Sequence, residues 1–244
     1  IKAKGMLVDA TVFPEEIKYP NDVGLLNDVR EWLVRNIRRV GQIIGKKYRT
    51  YPRKARKDYL NFSKKKTKTK KAINKAKRQM LQYVRRNIKQ LKEALEQVKA
   101  RGQRVKQNII DRLQVAEKIY DQQREMYRKR VNRIGDRVVS FHRPYVRLIK
   151  RGKQGKKVEF GGKGALVHVG RFLFLGHFEH RAFAEENLME AHVGDYLGRF
   201  GKLPPYVAAD TKYGTLENRE LMEEHGVRAA FKRRGRPPKI MAAQ

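Results

Sequence analysis

The chain has 244 residues with 59 Lys+Arg against 25 Asp+Glu, a formal net charge of +34. So large an excess repels itself unless a polyanion compensates it, which argues against a self-contained enzyme for small neutral substrates and points to nucleic acid. With no Cys, disulfides, thiolate zinc sites and a cysteine nucleophile are excluded, and no apolar run reaches the roughly 18 residues of a membrane span.

In chain order, the first element is a short buried strand, Met6 to Val12, with one carboxylate, Asp9, inside an apolar run. A turn-rich stretch through Pro14 and Pro20-Asn21-Asp22 follows. Residues 33–92 then carry 23 Lys+Arg and a single acid, Asp58, which is +22 of the whole +34. At its centre, Ser63 to Lys71 is too self-repelling and too poor in apolar residues to fold alone. From Ile88 to Met126, twelve positions step by three and four, and nine of them are apolar; the exceptions are Gly102, Arg112 and Gln123. This is a helical seam. Gly102 is the natural joint of a helical hairpin with arms of about 30 residues, and a single long coiled coil is the second reading. The seam serves either packing within one hairpin or a homodimer.

After Gly135 the pattern turns extended, with strands expected at Arg137 to Phe141, Lys157 to Phe160, Ala165 to Val169 and Arg171 to Leu175, punctuated by glycines. Phe183 to Phe200 fits a helix closed by Gly201 and Pro204-Pro205. Tyr206 to Asp210 is a second short apolar run ending in a carboxylate, and a helix from Leu216 to His225, capped by Gly226, comes next. The basic tail, Phe231 to Lys239, reads as a loop.

An ionised carboxylate in an apolar strand is costly unless a cation or hydrogen-bond donors compensate it. Asp9 and Asp210 both stand this way. If their strands are neighbours, the pair can hold a divalent cation, and magnesium suits such a sparse oxygen site. His177-Phe178-Glu179-His180 has the wrong spacing for a zinc helix, and Gly161-Gly162-Lys163-Gly164 lacks the remainder of a dinucleotide or phosphate loop, so it reads as a strand bend. In the basic block, Lys64, Lys65, Lys66, Lys68, Lys70, Lys71, Arg85 and Arg86 are the candidate phosphate contacts. The interleaved Tyr48, Tyr51, Tyr59, Phe62 and Tyr83 either stack on unpaired bases or anchor the helices.

Leu7 to Glu31 resembles the first catalytic block of DDE-type insertion-sequence transposases, in the insertion-sequence five family. Asp136 to Gly152 with Val158 to Lys163 resembles the strand region between the first two acids, Ala209 to Gly226 the second catalytic block, and Gly235 to Lys239 the loop after it. The resemblance keeps the blocks in order along nearly the whole chain. It implies an α/β, ribonuclease-H-like mixed sheet interrupted by a long basic helical insertion. The first part of the core is then residues 1–24, the insertion 25–135, and the remainder of the core 136–244. It further implies that Asp9 and Asp210 are the first two metal-binding acids, that Mg2+ is the cofactor with Mn2+ able to substitute, and that Lys163 touches DNA. Insertion-sequence ends and target DNA become the expected partners, in a prokaryotic cytoplasm beside the nucleoid. The third acid of the family, a Glu on a later helix, has no counterpart between His225 and Gln244, so it is expected beyond this chain or lost. The missing initiator Met fits a fragment. The rival expectation is a basic nucleic-acid-binding protein without chemistry.

Overall fold

A computed structural model describes residues 4–150 and 158–231. The chain divides into two compact units: Ile17–Val146 form one, and the segments ending at Glu16 and starting at Arg147 form the other.

The first unit is helical. Helix α1 (Asp22–Ile44) starts at Asn21, whose side chain accepts a hydrogen bond from the Gly24 N–H at 2.7 Å, satisfying one of the donors that every helix start leaves open. Helix α2 (Pro52–Ser63) opens on proline, whose fixed φ suits the first turn. Helix α3 (Lys70–Ala100), capped by Thr69, and α4 (Gln107–Lys129) are joined through Gly102 at φ +68°, a left-handed conformation that favours glycine. The seam therefore forms a hairpin. Its apolar positions pack within the unit: Leu91, Ala116 and Ile119 are fully buried together with Leu26, Leu33 and Ile37 of α1.

One expected strand is absent from this unit. Arg137 to Phe141 form no strand; Val138 and Phe141 instead enter the helical core, and the Val138 N–H donates to the Gln122 side chain at 2.9 Å. The β-branched run read as a strand, but its backbone and side chains are satisfied by α4 and the helical core. The unit consequently extends beyond the 25–135 read from the sequence. Arg112, an exception in the seam, donates to the Phe141 carbonyl at 2.6 Å and lies over the Phe141 ring.

The second unit is α/β with one mixed sheet. Its strands are β1 (Met6–Pro14), β2 (Arg147–Lys150), β3 (Val158–Val169), β4 (Phe172–Glu179), β5 (Tyr206–Ala209) and β6 (Arg228–Phe231). The path runs β2-β3-β1-β5-β6, with β4 also on β3. β3 is antiparallel to β1, β2 and β4, whereas β1–β5 and β5–β6 are parallel pairs. Helix α5 (Met189–Phe200) supplies Met189, Val193 and Tyr196 to the core, and α6 (Leu216–Glu224) supplies Met222, against Met6, Val8 and Val207 of the sheet. The Gly161–Gly164 run is not a bend but the interior of the unbroken strand β3. Glycine is needed at 161, where φ is +157° and a Cβ would meet the Phe13 carbonyl at 2.0 Å. Lys157 and most of the basic tail lie outside the described residues. Among the described residues no helix is long and apolar enough to cross a membrane.

Candidate active site

Asp9 and Asp210 come together through the sheet. The parallel pairing of β1 with β5 sets Val8 beside Ala209, so the residues that follow them are the two acids, Asp9 on β1 and Asp210 just past the end of β5, and both act electrostatically on Tyr213. Alternation sends Met6 and Val8 into the core and leaves Asp9 exposed. Its Oδ1 accepts from the Ala10 N–H at 2.8 Å. Asp210 follows the last residue of β5 and caps the 3₁₀ turn Thr211–Tyr213, accepting from the Thr211 N–H. Both carboxylates are exposed and make these contacts only with adjacent backbone amides, so each keeps lone pairs for a ligand. Two hard oxygen donors open to water suit a magnesium ion that keeps most of its own waters. Among the described residues no three His, Asp or Glu side chains converge closely enough to hold a metal.

Beside this pair lies a buried carboxylate, Glu185, only 4% exposed. It begins the 3₁₀ turn Glu185–Leu188, and its two oxygens face Lys163 Nζ at 3.1 Å and Lys212 Nζ at 2.8 Å. The hydrogen bond to Glu185 raises the Lys212 pKa against the opposing effect of burial, and Asp210 and Glu186 add to the rise. Lys163 also donates to the Phe183 carbonyl at 2.9 Å and sits over the Phe183 ring. The lysine expected on DNA is thus largely buried in an ion pair. Asn218 binds the turns together, donating from Nδ2 to the Tyr213 and Glu186 carbonyls, each at 2.9 Å.

Tyr213 completes the group. Its side chain is fully buried, and its hydroxyl has no hydrogen-bond partner among the described residues. Burial first, then the carboxylates of Glu185, Asp9, Glu186 and Asp210, push its pKa far up. The phenol therefore stays protonated, a donor held near four carboxylates. Sequence reasoning missed Glu185 and Lys212, because nothing local to Ala184-Glu185-Glu186 marks one of the two glutamates for burial. Only the fold reveals that one of them is buried between two lysines.

The basic residues divide by role. Lys64, Lys65, Lys66, Lys68, Lys70 and Lys71 are all exposed around the α2–α3 connection, and Arg85 is exposed on α3. Arg86 is half-buried, stacked over Tyr51 and Tyr83, with a long contact to the Thr50 carbonyl at 3.5 Å. Of the interleaved aromatics, Tyr48, Tyr59, Phe62 and Tyr83 anchor the helical core. Tyr51 stays partly exposed, with Arg49 and Arg86 over its ring.

Compared with known families, curated proteins and solved structures, the chain returned no match.

Proposed function

We propose that the chain is catalytic-core sequence of a DDE-type insertion-sequence transposase, of the insertion-sequence five family, built on a ribonuclease-H-like sheet. The observation that carries this is the parallel pairing of Val8 with Ala209, each directly before one of the two acids, although almost the whole chain separates them. The strand order supports it as well: three antiparallel strands, then two parallel ones, with the acid-bearing β1 at the change of direction. The resemblance calls for the second acid on a strand beside the first.

In this reading Asp9 and Asp210 hold Mg2+ or Mn2+, which supplies Lewis-acid polarisation of a DNA phosphodiester. Water attacks phosphorus at the element end and the P–O3′ bond breaks, leaving a 3′-hydroxyl. That hydroxyl then attacks phosphorus of a target phosphodiester, whose own P–O3′ bond breaks to release the target 3′-hydroxyl, so no covalent protein intermediate forms. Glu185 holds Lys212 directly after Asp210, where its ammonium lies within reach of a phosphate oxygen.

The test is cleavage and joining of end-sequence DNA with Mg2+ or Mn2+ by a protein that also supplies the third acid. Asp9→Asn and Asp210→Asn are each expected to reduce turnover to background while DNA binding persists; cleavage retained in either variant refutes the assignment. One observation favours a second reading, a DNA-binding protein without chemistry: no three His, Asp or Glu side chains converge closely enough to hold a metal among the described residues. Metal-independent binding with no turnover in any context is the outcome that selects it.

A further inference from the structure

The positive charge of the helical unit takes two chemically different forms. Around the α2–α3 connection every cation from residue 64 to 71 is lysine, on an exposed loop. Between α1 and α2 lies a groove of about 480 Å³ whose cations are all arginine: Arg30, Arg35, Arg38, Arg39 and Arg56, with Glu31 as its one acid. Arg35, Arg38 and Arg39 step by three and four along α1 and face the groove together. These three and Arg56 are exposed, and none makes an ion pair with a carboxylate among the described residues.

Arg30 is different, since its side chain is only 3% exposed and is fixed from two sides. Nε and Nη2 donate to Asn27 Oδ1 at 3.1 and 2.7 Å, and Nη2 also reaches Glu31 Oε1 at 2.9 Å. Burial lowers its pKa, and the nearby Arg56 acts in the same direction. Glu31 balances the buried Arg30 guanidinium, so the four exposed guanidiniums beside it leave the groove with a net positive charge that an external anion can meet.

We infer that the α1–α2 groove is a geometric recognition site for the phosphate backbone of duplex DNA, and that the lysine loop only attracts the duplex. Guanidinium forks bind phosphate oxygens in pairs with defined direction, whereas ammonium groups act as point charges. The groove requires only a phosphodiester backbone; the choice of DNA over RNA rests on the transposase reading.

Charge-conserving exchange separates geometry from charge. The chain and its variants are titrated with a fluorescent 30-base-pair DNA duplex and an RNA duplex of the same sequence, over a range of salt. Arg35→Lys, Arg38→Lys and Arg39→Lys together are expected to weaken DNA binding by about tenfold or more, with nearly the same salt slope because the charge is unchanged. Lys64→Arg, Lys65→Arg and Lys66→Arg together are expected to leave affinity within about twofold, because the net charge is unchanged and a loop that only attracts the duplex holds no phosphate in a fixed geometry for a fork to engage. All six positions are exposed, and melting curves verify that the variants fold. DNA affinity unchanged by the arginine-to-lysine set overturns the groove, and so does an equal effect from the loop set. Tighter binding of the RNA duplex overturns the assignment to DNA. None of these results bears on cleavage, so a failed groove leaves the catalytic reading standing, and inactive chemistry leaves the groove standing.

Discussion

The two units treat charge in opposite ways. In the helical unit the acids are drawn into pairing: Asp22 holds Lys77 at 2.8 Å and Arg137 at 2.5 Å, Asp58 accepts from Tyr83 at 2.7 Å, and Glu117 pairs with Lys92. Among its exposed charges the cations predominate. In the sheet unit Lys163 and Lys212 are drawn onto the buried Glu185, and two acids, Asp9 within β1 and Asp210 just past β5, remain exposed. Net charge alone would have marked the whole chain as basic surface. The buried acid of the sheet unit is paired by two lysines, while in the helical unit the exposed Lys64, Lys65, Lys66, Arg35, Arg38 and Arg39 have no such partner among the described residues.

The largest expected effect tests the interior of the sheet unit. Glu185→Ala removes the common partner of two lysines, one of them, Lys163, only 14% exposed; stranding a buried charge costs about 3–5 kcal/mol. The chain has a single tryptophan, Trp32, and it packs on the helical core against Phe141. Trp32 fluorescence therefore reports one unit, while amide exchange along β1 and β5 reports the other. Glu185→Ala is expected to lower protection in the strands and leave the Trp32 transition in place. Equal movement of both probes would show that the contrast between units is wrong.

Leu91→Ala makes the reciprocal test. Leu91 is fully buried on α3, and its truncation is expected to cost about 2–5 kcal/mol through lost burial and the cavity left behind. The loss belongs to the Trp32 transition. A smaller effect is expected from Asn21→Ala, about 1 kcal/mol, because only one cap bond at the start of α1 is removed.

How much of this was legible follows from the range of the interactions. The hairpin of α3 and α4 was readable because helix contacts repeat at three and four residues, within the span that a sequence pattern samples. The strand read at Arg137 to Phe141 failed because apolar alternation does not say what will satisfy the backbone; here Gln122 does so for Val138. β3 was read in pieces because its glycines look like breaks, yet Gly162 and Gly164 leave room for the rings of Phe178 and Phe13. Asp9 and Asp210 stood out as carboxylates in apolar runs, but their adjacency depends on a strand register. Glu185 gave no sign at all, since its partners, Lys163 and Lys212, lie on other elements. The arginine groove was half visible: the spacing of Arg35, Arg38 and Arg39 is local, whereas Arg56 comes from α2.

The smallest expected effect is a pH dependence confined to the helical unit. Tyr83 is buried on α3, and its hydroxyl donates to Asp58 at 2.7 Å. Burial first, then the hydrogen bond to Asp58, pushes its pKa up to about 12 from the ordinary 10.0. Since the folded value is the higher one, the protonated phenol stabilises the native state fully below pH of about 10, and that stabilisation is lost as pH rises toward about 12. Lysine titration spans the same range, so the informative quantity is the difference between the wild-type chain and Tyr83→Phe. Below pH 9 the variant is expected to be less stable by about 1 kcal/mol, the worth of one hydrogen bond, in the Trp32 transition. The gap should narrow above pH of about 10, because ionised Tyr83 then loses its donated proton beside a carboxylate while phenylalanine has none to lose. A gap that stays constant from pH 8 to pH 11.5 would mean that the Asp58 hydrogen bond contributes nothing to the helical unit, and that its acids are not held by inward pairing as the contrast requires.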